Sequence, residues 1–166
     1  MRFLGMALVS SAVVLGACGG GEKKSDATPK ADAAAAAPAP AAAPAAAGTA
    51  APITGKTVEI KMIGDATGYK FEPANVTISP GDALKFVVVS MGPHNVAFDP
   101  AKLPPDVRAQ LDANFGTDKM AELSSGLKMN PGESITISFG GIKPGTYEFN
   151  CTPHLAMNMK GTVTVK

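Results

Sequence analysis

The C-terminal two thirds of this sequence consists of short runs of alternating apolar and polar residues, separated by Pro-Gly turns. Alternation with period two is typical of β-strands with one buried face, and Pro-Gly pairs favour tight turns. Many short strands within about 110 residues predict an antiparallel β-sandwich or barrel, and therefore an all-β fold. The strand-like runs cover residues 57–62, 75–79, 83–90, 134–139, 146–150 and 161–166.

One stretch, residues 99–129, does not follow this pattern. Val107, Leu111 and Phe115 have the spacing of one helix face, and Asp106 lies just after two prolines, where a first helical turn is favoured. We therefore expect a long connection that contains one or two short helices.

The first residues have the features of an export signal. Arg2 precedes an apolar run that ends in small residues, and the run is too short to span a bilayer as a stable helix. Its end, L-G-A-C, resembles the bacterial lipobox, in which the cysteine becomes the lipid-modified N-terminus. We predict a lipoprotein signal peptide over residues 1–17 and lipid attachment at Cys18; an ordinary signal with an incidental cysteine is the alternative.

Residues 18–52 are rich in alanine and proline. Pro38, Pro40 and Pro44 interrupt any helix that the alanines favour, and nothing in the stretch can build a core. We predict that this segment is a disordered linker between the lipid anchor and a folded domain over residues 53–166.

The end of the fifth strand-like run carries side chains that bind soft metals. Tyr147, Phe149 and Cys151 share one face of that strand, and His154 follows three residues later. His94, the only other histidine, alternates with Val96 and Phe98 on an earlier run. Both histidines and the cysteine can therefore converge at one end of the sandwich.

Two methionines, Met157 and Met159, complete a possible ligand set. Two imidazoles, a thiolate and a weak thioether are typical of blue-copper sites, whereas zinc prefers further thiolates or a carboxylate. Bound copper would also protect Cys151 from oxidation in an exported protein. Each of these residues taken alone is more often a packed core or surface residue than a metal ligand. The prediction of a copper site therefore depends on the spacing of all four together.

The domain resembles the cupredoxins, and within them the plastocyanin-like small blue copper proteins, which include amicyanin and pseudoazurin. The similar segments are Y-K-F-E-P-A-N-V-T-I-S-P-G-D, G-P-H-N-V-A-F-D and G-T-Y-E-F-N-C-T-P-H-L-A-M-N-M-K-G-T-V-T-V. The resemblance implies a Greek-key sandwich of about eight strands. It also implies one type 1 copper, held by His94, Cys151, His154 and a methionine.

The family pattern favours Met159 over Met157 as the axial ligand. In plastocyanin-like loops four residues separate the histidine from the methionine, and a glycine follows two positions later; Met159 and Gly161 fit this frame. Met157 would be the ligand in a shorter, amicyanin-like loop. The resemblance further implies that Asn95 hydrogen-bonds to the ligand loop and supports the thiolate.

These features imply a single-electron carrier rather than an enzyme, because no histidines remain for a second copper site. We expect electrons to pass through an exposed edge of His154, within an apolar surface formed by Gly92, Pro93, Pro153, Leu155, Ala156 and Met157. The alternative is a copper storage or delivery lipoprotein, which would lose its copper easily.

Charge and targeting define the expected partners and location. The net charge is +1, which indicates no nucleic acid partner, and residues 53–166 carry equal numbers of acidic and basic side chains. We expect a monomer, attached to a membrane by its lipid and facing the periplasm or the extracellular side. Its expected partners are redox proteins such as c-type cytochromes, an oxidase or a reductase.

Overall fold

The computed structural model describes residues 48–166. The predicted signal peptide, the lipid attachment at Cys18 and the linker up to residue 47 lie outside the described residues. The strands are β1 (Thr57–Asp65), β2 (Gly68–Glu72), β3 (Asn75–Ile78), β4 (Ala83–Val88), β5 (Ala97–Phe98), β6 (Lys119–Ala121), β7 (Ser124–Ser125), β8 (Ser134–Ser138), β9 (Gly145–Asn150) and β10 (Lys160–Val165). One α-helix, α1 (Pro105–Asn114), and two 3₁₀ helices, Pro100–Lys102 and Thr152–Met157, complete the described elements.

The strands form two sheets. The first has the order β2-β1-β4-β8, and the second has the order β3-β10-β9-β5-β7-β6. The chain crosses between the sheets several times, as Greek-key connections do. The predicted all-β sandwich with a short helical insertion is therefore confirmed.

The sheets are mixed rather than purely antiparallel, which corrects one part of the prediction. β1 pairs with β4 in parallel, and β10 pairs with β3 in parallel. The cause is the path of the chain: β3 joins the second sheet, so β4 returns to the first sheet in the same direction as β1. The described residues contain ten strands rather than eight, because β5, β6 and β7 are only two or three residues long.

The core lies between the sheets and is centred on aromatic side chains. Phe71, Phe86 and Phe149 contact one another edge to face, with ring centroids 4.9 to 5.8 Å apart. Such pairs add about 0.5–1.5 kcal/mol each beyond the area that they bury. Phe149 belongs to β9, whose buried face continues through Cys151. The core therefore fixes the strand that carries the cysteine.

Helix α1 packs on the sandwich through Val107, Leu111 and Phe115, the residues that predicted it. Its last residue, Asn114, is buried and makes several hydrogen bonds. Its amide donates to the carbonyl oxygens of Ser138 and Gly140 at 2.9 and 3.1 Å. Its side-chain oxygen, Oδ1, accepts a hydrogen bond from the backbone N–H of Ala51 at 2.8 Å. The helix is therefore part of the domain structure and not an independent appendage.

The N-terminal end of the domain begins slightly before the predicted boundary at residue 53. Besides the bond from Ala51 to Asn114, the Thr49 carbonyl oxygen accepts a hydrogen bond from the Gln110 side chain at 3.2 Å. Residues 49–52 thus contact α1 and its surroundings, although the sequence assigned them to the linker. Nowhere in residues 48–166 does a helix have the length and apolar character needed to cross a membrane.

Candidate metal centre

Three separate segments bring His94, Cys151 and His154 together at one end of the sandwich. His94 is held beside Lys128 by two backbone hydrogen bonds of 2.9 and 2.7 Å. Cys151 directly follows β9, and His154 lies in the 3₁₀ helix Thr152–Met157. His94 and Cys151 are fully buried, and His154 is 5% exposed. The predicted convergence is therefore present in the fold.

The ligand atoms of these residues have the separations that one metal ion requires. The Cys151 Sγ lies 3.3 Å from the His154 Nδ1 and 3.8 Å from the His94 Nδ1. One ligand atom from each residue lies within 4.8 Å of the others. Ligands bound at about 2.0 to 2.3 Å in a trigonal plane would lie about 3.6 Å apart. The cluster therefore fits a small ion without rearrangement of the backbone.

A backbone carbonyl determines which nitrogen of His94 faces the cluster. The His94 Nε2 lies 2.9 Å from the carbonyl oxygen of Ser90. A carbonyl oxygen can only accept, so Nε2 carries the proton and donates it. In the neutral ring, Nδ1 then has a free lone pair directed towards Cys151. Such an outer hydrogen bond fixes the tautomer and the ring orientation of a metal-binding histidine.

Burial favours the neutral form of both imidazoles, which is the form that can bind a metal cation. Loss of hydration lowers the pKa of His94 below its usual 6.5, although the hydrogen bond with Ser90 opposes this. Loss of hydration also lowers the pKa of His154, and the nearby His94 adds to the effect. Both rings are therefore neutral at neutral pH, which is the form that coordinates metals.

Burial has the opposite effect on Cys151. Desolvation raises the pKa of the thiol above its usual 9.0, and the backbone N–H groups of Asn95 and His154 offset this only in part. Without a metal the sulfur is therefore a protonated thiol. A bound cation would reverse this preference, because a coordinating thiol is deprotonated outright.

The ligand loop is closed by backbone hydrogen bonds between its two ends. The Cys151 N–H donates to the carbonyl oxygen of Met159 at 3.1 Å, and the Met159 N–H donates to that of His154 at 3.2 Å. Asn158 adopts a left-handed conformation with φ 61°, which asparagine tolerates better than most residues. This turn directs the chain from the 3₁₀ helix back into β10, so Met159 lies beside the start of the loop.

The two methionines lie in contrasting environments. The Met159 side chain is fully buried, whereas Met157 is 56% exposed. Met159, whose backbone is hydrogen-bonded to Cys151, would be the methionine able to donate to an ion bound in the cluster, whereas the exposed Met157 is available to solvent and partners. The choice of Met159 as the axial ligand stays a prediction, and Met157 lies on the surface.

Asn95 connects the histidine segment to the ligand loop. Its Oδ1 accepts the backbone N–H of Thr152 at 2.7 Å, and its Nδ2 donates to the Thr152 hydroxyl at 3.2 Å. The same Nδ2 lies 3.1 Å from the hydroxyl oxygen of Ser124 in β7. Asn95 thus forms hydrogen bonds with both the backbone and the side chain of Thr152, the residue that follows Cys151. The part played by Ser124 was not predicted, because nothing local in the sequence marks it.

The residue whose edge was expected at the surface, His154, is only 5% exposed, and an aromatic ring covers one face of its imidazole. Tyr69 of β2 stacks on the His154 ring with centroids 3.6 Å apart and planes inclined by 11°. This contact of Tyr69 was not predicted. Its alternation with Phe71 would have placed it on the inward face of β2, but only the fold shows which ring it faces.

The surface around the cluster is apolar, in part as predicted. Leu155 and Met157 are 43% and 56% exposed, whereas Gly92 and Pro93 are half-buried. Met91, which precedes Gly92 in the chain, and Met129 are also exposed, and a Cβ placed on Gly92 would approach the Met129 backbone carbonyl oxygen to 2.7 Å. The chain near Gly92 therefore carries two exposed methionines that were not among the residues predicted for the apolar surface.

Comparisons with known proteins cover the same region. A profile of the family described as copper binding proteins, plastocyanin/azurin family, matches residues 58–166. The chain is 39% identical to a plastocyanin of Prochlorothrix hollandica over 118 residues, which cover 71% of this chain and 79% of that protein. It is 42% identical to a plastocyanin of Dryopteris crassirhizoma over 106 residues, which cover 63% and 96%.

Solved structures with similar folds include the oxidised form of plastocyanin from Dryopteris crassirhizoma. That structure is 36% identical, with a TM-score of 0.49, and the match covers 66% of this chain and 100% of the other. The family match begins within β1 and includes His94, Cys151, His154 and Met159.

Proposed function

Because the chain belongs to the plastocyanin/azurin family of copper-binding proteins, we propose that it is a blue copper protein that carries single electrons between redox partners. The observation that carries this proposal is the buried triangle of His94, Cys151 and His154. A cysteine with two histidines and a nearby thioether is the donor set of type 1 copper. The family match supports copper as the ion, and the donor set agrees with it.

Copper in such a site would supply a one-electron change between Cu(I) and Cu(II). The chain would hold its donor side chains in nearly one geometry through this change. The bond from His94 to Ser90, the bonds from Asn95 to Thr152 and the closed ligand loop hold each donor from outside the triangle. Little rearrangement then accompanies the gain or loss of the electron.

Electron exchange is expected at the end of the sandwich that carries His154. This ligand is 5% exposed, whereas His94 and Cys151 are fully buried. Exposed Leu155 and Met157 lie on the same loop and offer an apolar contact area. Small interfaces of this kind suit short-lived redox encounters.

The charges of the domain do not favour one strongly charged partner. Acidic and basic side chains are equal in number over residues 53–166, and more than half of them form ion pairs with each other. Pairs in and around the segment from residue 99 to 129 include Lys102 with Glu148, Arg108 with Glu122, Lys119 with Asp112, Lys128 with Asp118 and Lys143 with Asp106. Partners of the proposed class are c-type cytochromes or an oxidase or reductase, recognised mainly through apolar contact.

We further propose that the protein is an exported lipoprotein attached through Cys18. The support is in the sequence: an apolar run after Arg2, the residues L-G-A-C and the following Ala/Pro-rich stretch. Several acyl chains would give stable attachment. A tether of this kind would raise the local concentration of the domain near membrane-bound partners and so replace electrostatic steering.

The decisive experiment is a Cu(II) titration of the metal-free protein. We expect an intense visible band from thiolate-to-copper charge transfer, saturating at one copper per chain, and reversible bleaching by a one-electron reductant such as ascorbate. In Cys151→Ser the band should be absent. A wild-type protein that binds Cu(II) without colour would refute the proposal.

Cys18→Ser is the matched control, since it makes the same change at the other cysteine. It should keep the visible band in full and shift the protein from the membrane fraction to the soluble fraction. Loss of the band in this variant would mean that the copper thiolate was misassigned. Unchanged membrane attachment would refute the proposed lipid anchor but not the proposed copper site. Rapid loss of copper from the wild-type protein to a weak chelator would instead favour a delivery role.

A further inference from the structure

Tyr69 makes the closest aromatic contact in the described part of the chain, and this contact is with a residue of the metal-binding cluster. Its ring lies nearly parallel to the His154 imidazole, with a centroid distance of 3.6 Å. It also meets His94 edge to face at 6.0 Å with an interplanar angle of 64°. One side chain therefore contacts both histidines of the cluster.

The position of Tyr69 is fixed from behind by the neighbouring strand. Gly64 of β1 pairs directly with Tyr69, and a Cβ placed on Gly64 would lie 2.6 Å from the Tyr69 Cε1. The same Cβ would lie 2.8 Å from the Cβ of Met91. Only a glycine at position 64 leaves room for the Tyr69 ring to lie flat between β1 and His154. The ring is thus held in a narrow slot between a backbone and an imidazole.

We propose that Tyr69 is a positioning residue of the metal centre, which restrains the His154 ring and limits the release of copper. To leave a bound ion, the His154 imidazole has to rotate or shift, and the stacked Tyr69 ring occupies the space next to it. Copper is then released only when the stack opens. The inference rests on the proposed function, because it concerns the same copper site.

The ring and not the hydroxyl group of Tyr69 carries this role. Within residues 48–166 no hydrogen bond of the Tyr69 hydroxyl is found, whereas the ring contacts both histidines. A phenylalanine at this position should therefore retain the stack, and a leucine should lose it. Lys70 is a matched neighbour, since it is exposed and points to the other face of β2.

The test is the rate at which copper leaves the reduced protein. The full chain is loaded with copper, reduced with ascorbate without oxygen, and mixed with excess bathocuproine disulfonate, a coloured Cu(I) chelator. Aromatic pairs of this kind correspond to roughly 2- to 10-fold in a rate or equilibrium. We expect Tyr69→Leu to release copper faster by about this factor. Tyr69→Phe and Lys70→Ala should release it at the wild-type rate.

Gly64→Ala provides a second variant that leaves the tyrosine in place. The added methyl group would displace the ring from its slot, so copper release should be accelerated as in Tyr69→Leu. Unfolding of the metal-free variants, followed by circular dichroism, identifies any general loss of stability. If Gly64→Ala does not fold, the comparison of Tyr69→Leu with Tyr69→Phe still decides the question.

Proton NMR of the metal-free protein gives a readout that does not depend on copper. The stacked ring should shift the His154 ring protons upfield in the wild type and in Tyr69→Phe, and this shift should disappear in Tyr69→Leu. Equal release rates in the wild type and Tyr69→Leu would overturn the inference, as would a Tyr69→Phe protein that behaves like Tyr69→Leu. A colourless wild-type Cu(II) protein would instead refute the proposed function, so the two failures are distinguishable.

Discussion

Cys151 owes its chemistry to the place that the fold gives it. The thiol is fully buried, and its sulfur lies 3.3 and 3.8 Å from the two imidazole nitrogens. Burial raises its pKa, so the thiol is protonated in the metal-free protein and a bound copper has to displace that proton. The same side chain is thus a small core residue without metal and a strong donor with it.

The two methionines provide a direct test of the ligand assignment. Met159→Leu removes the buried thioether, so the charge-transfer spectrum should change and the reduction potential should rise, because Cu(II) loses an electron donor. The substitution conserves volume, and its cost in folding stability should stay below about 1.5 kcal/mol. The measurements are absorption spectroscopy and voltammetry of the copper-loaded variant.

Met157→Leu is the control for that substitution. Met157 is exposed, so the spectrum, the potential and, to within about 0.5 kcal/mol, the free energy of unfolding should stay unchanged. If the spectral change instead followed Met157, the loop would belong to the shorter, amicyanin-like class.

At the scale of elements, the site depends on the connection between β5 and β8 as well as on the ligand loop. Ser124 of β7 contacts Asn95, which in turn holds Thr152 beside Cys151. Helix α1 anchors the same connection through Asn114. The long segment that interrupts the strand pattern in the sequence therefore supports the metal end through one strand and the opposite end through the helix.

Asn114→Ala should destabilise the domain without changing the copper site. The substitution leaves the Ser138 and Gly140 carbonyl oxygens and the Ala51 N–H without their buried partner, which costs about 1–3 kcal/mol. Ser138 pairs with Ala83, at the end of β4 away from the cluster, so the visible spectrum should be retained. Urea unfolding monitored by circular dichroism measures the loss.

Asn130→Ala is the matched control for this effect. Asn130 is exposed and its amide makes one hydrogen bond, to Glu133 at 3.2 Å, so its removal should change the free energy of unfolding by no more than about 0.5 kcal/mol. Equal effects of the two substitutions would show that the buried bonds of Asn114 do not anchor the helix.

At the scale of the whole molecule, the cluster should make the free energy of unfolding of the metal-free protein depend on pH, both in the acidic and in the alkaline range. The pKa values of His94 and His154 are lowered on folding, so the unfolded chain binds more protons below pH 6.5. The free energy of unfolding should therefore fall as the pH drops below 6.5 towards the lowered pKa values. The pKa of Cys151 is raised, so the unfolded chain loses its proton first, and stability should also fall as the pH rises above 9.0.

Urea unfolding of the metal-free protein over this pH range tests the expectation. In His94→Gln the free energy of unfolding should fall less steeply below pH 6.5, because one of the two histidines with a lowered pKa is absent. In Cys151→Ser the contribution of the thiol to the fall of the free energy of unfolding above pH 9.0 should be absent. A stability that does not change between pH 7 and the acidic range in the wild type would contradict the directions of the histidine shifts.

The chemistry of the site could be predicted from the sequence because its decisive signals are local. Strand alternation, Pro-Gly turns and the spacing of Cys151, His154 and Met159 depend on residues close together in the chain, where backbone geometry alone limits the outcome. The spacing therefore predicted the sandwich and the ligand candidates. His94 could be added because it is the only other histidine and lies on an inward-facing run.

The surroundings of the cluster were decided only by tertiary packing. The stack of Tyr69 on His154, the bond from Asn95 to Ser124 and the parallel pairing of β1 with β4 join segments that are distant in the sequence. No local pattern specifies such partners, because the order of strands in the two sheets determines which inward side chains meet. For this reason the sequence predicted His154 as a ligand, whereas only the fold shows that the Tyr69 ring stacks on one face of its imidazole.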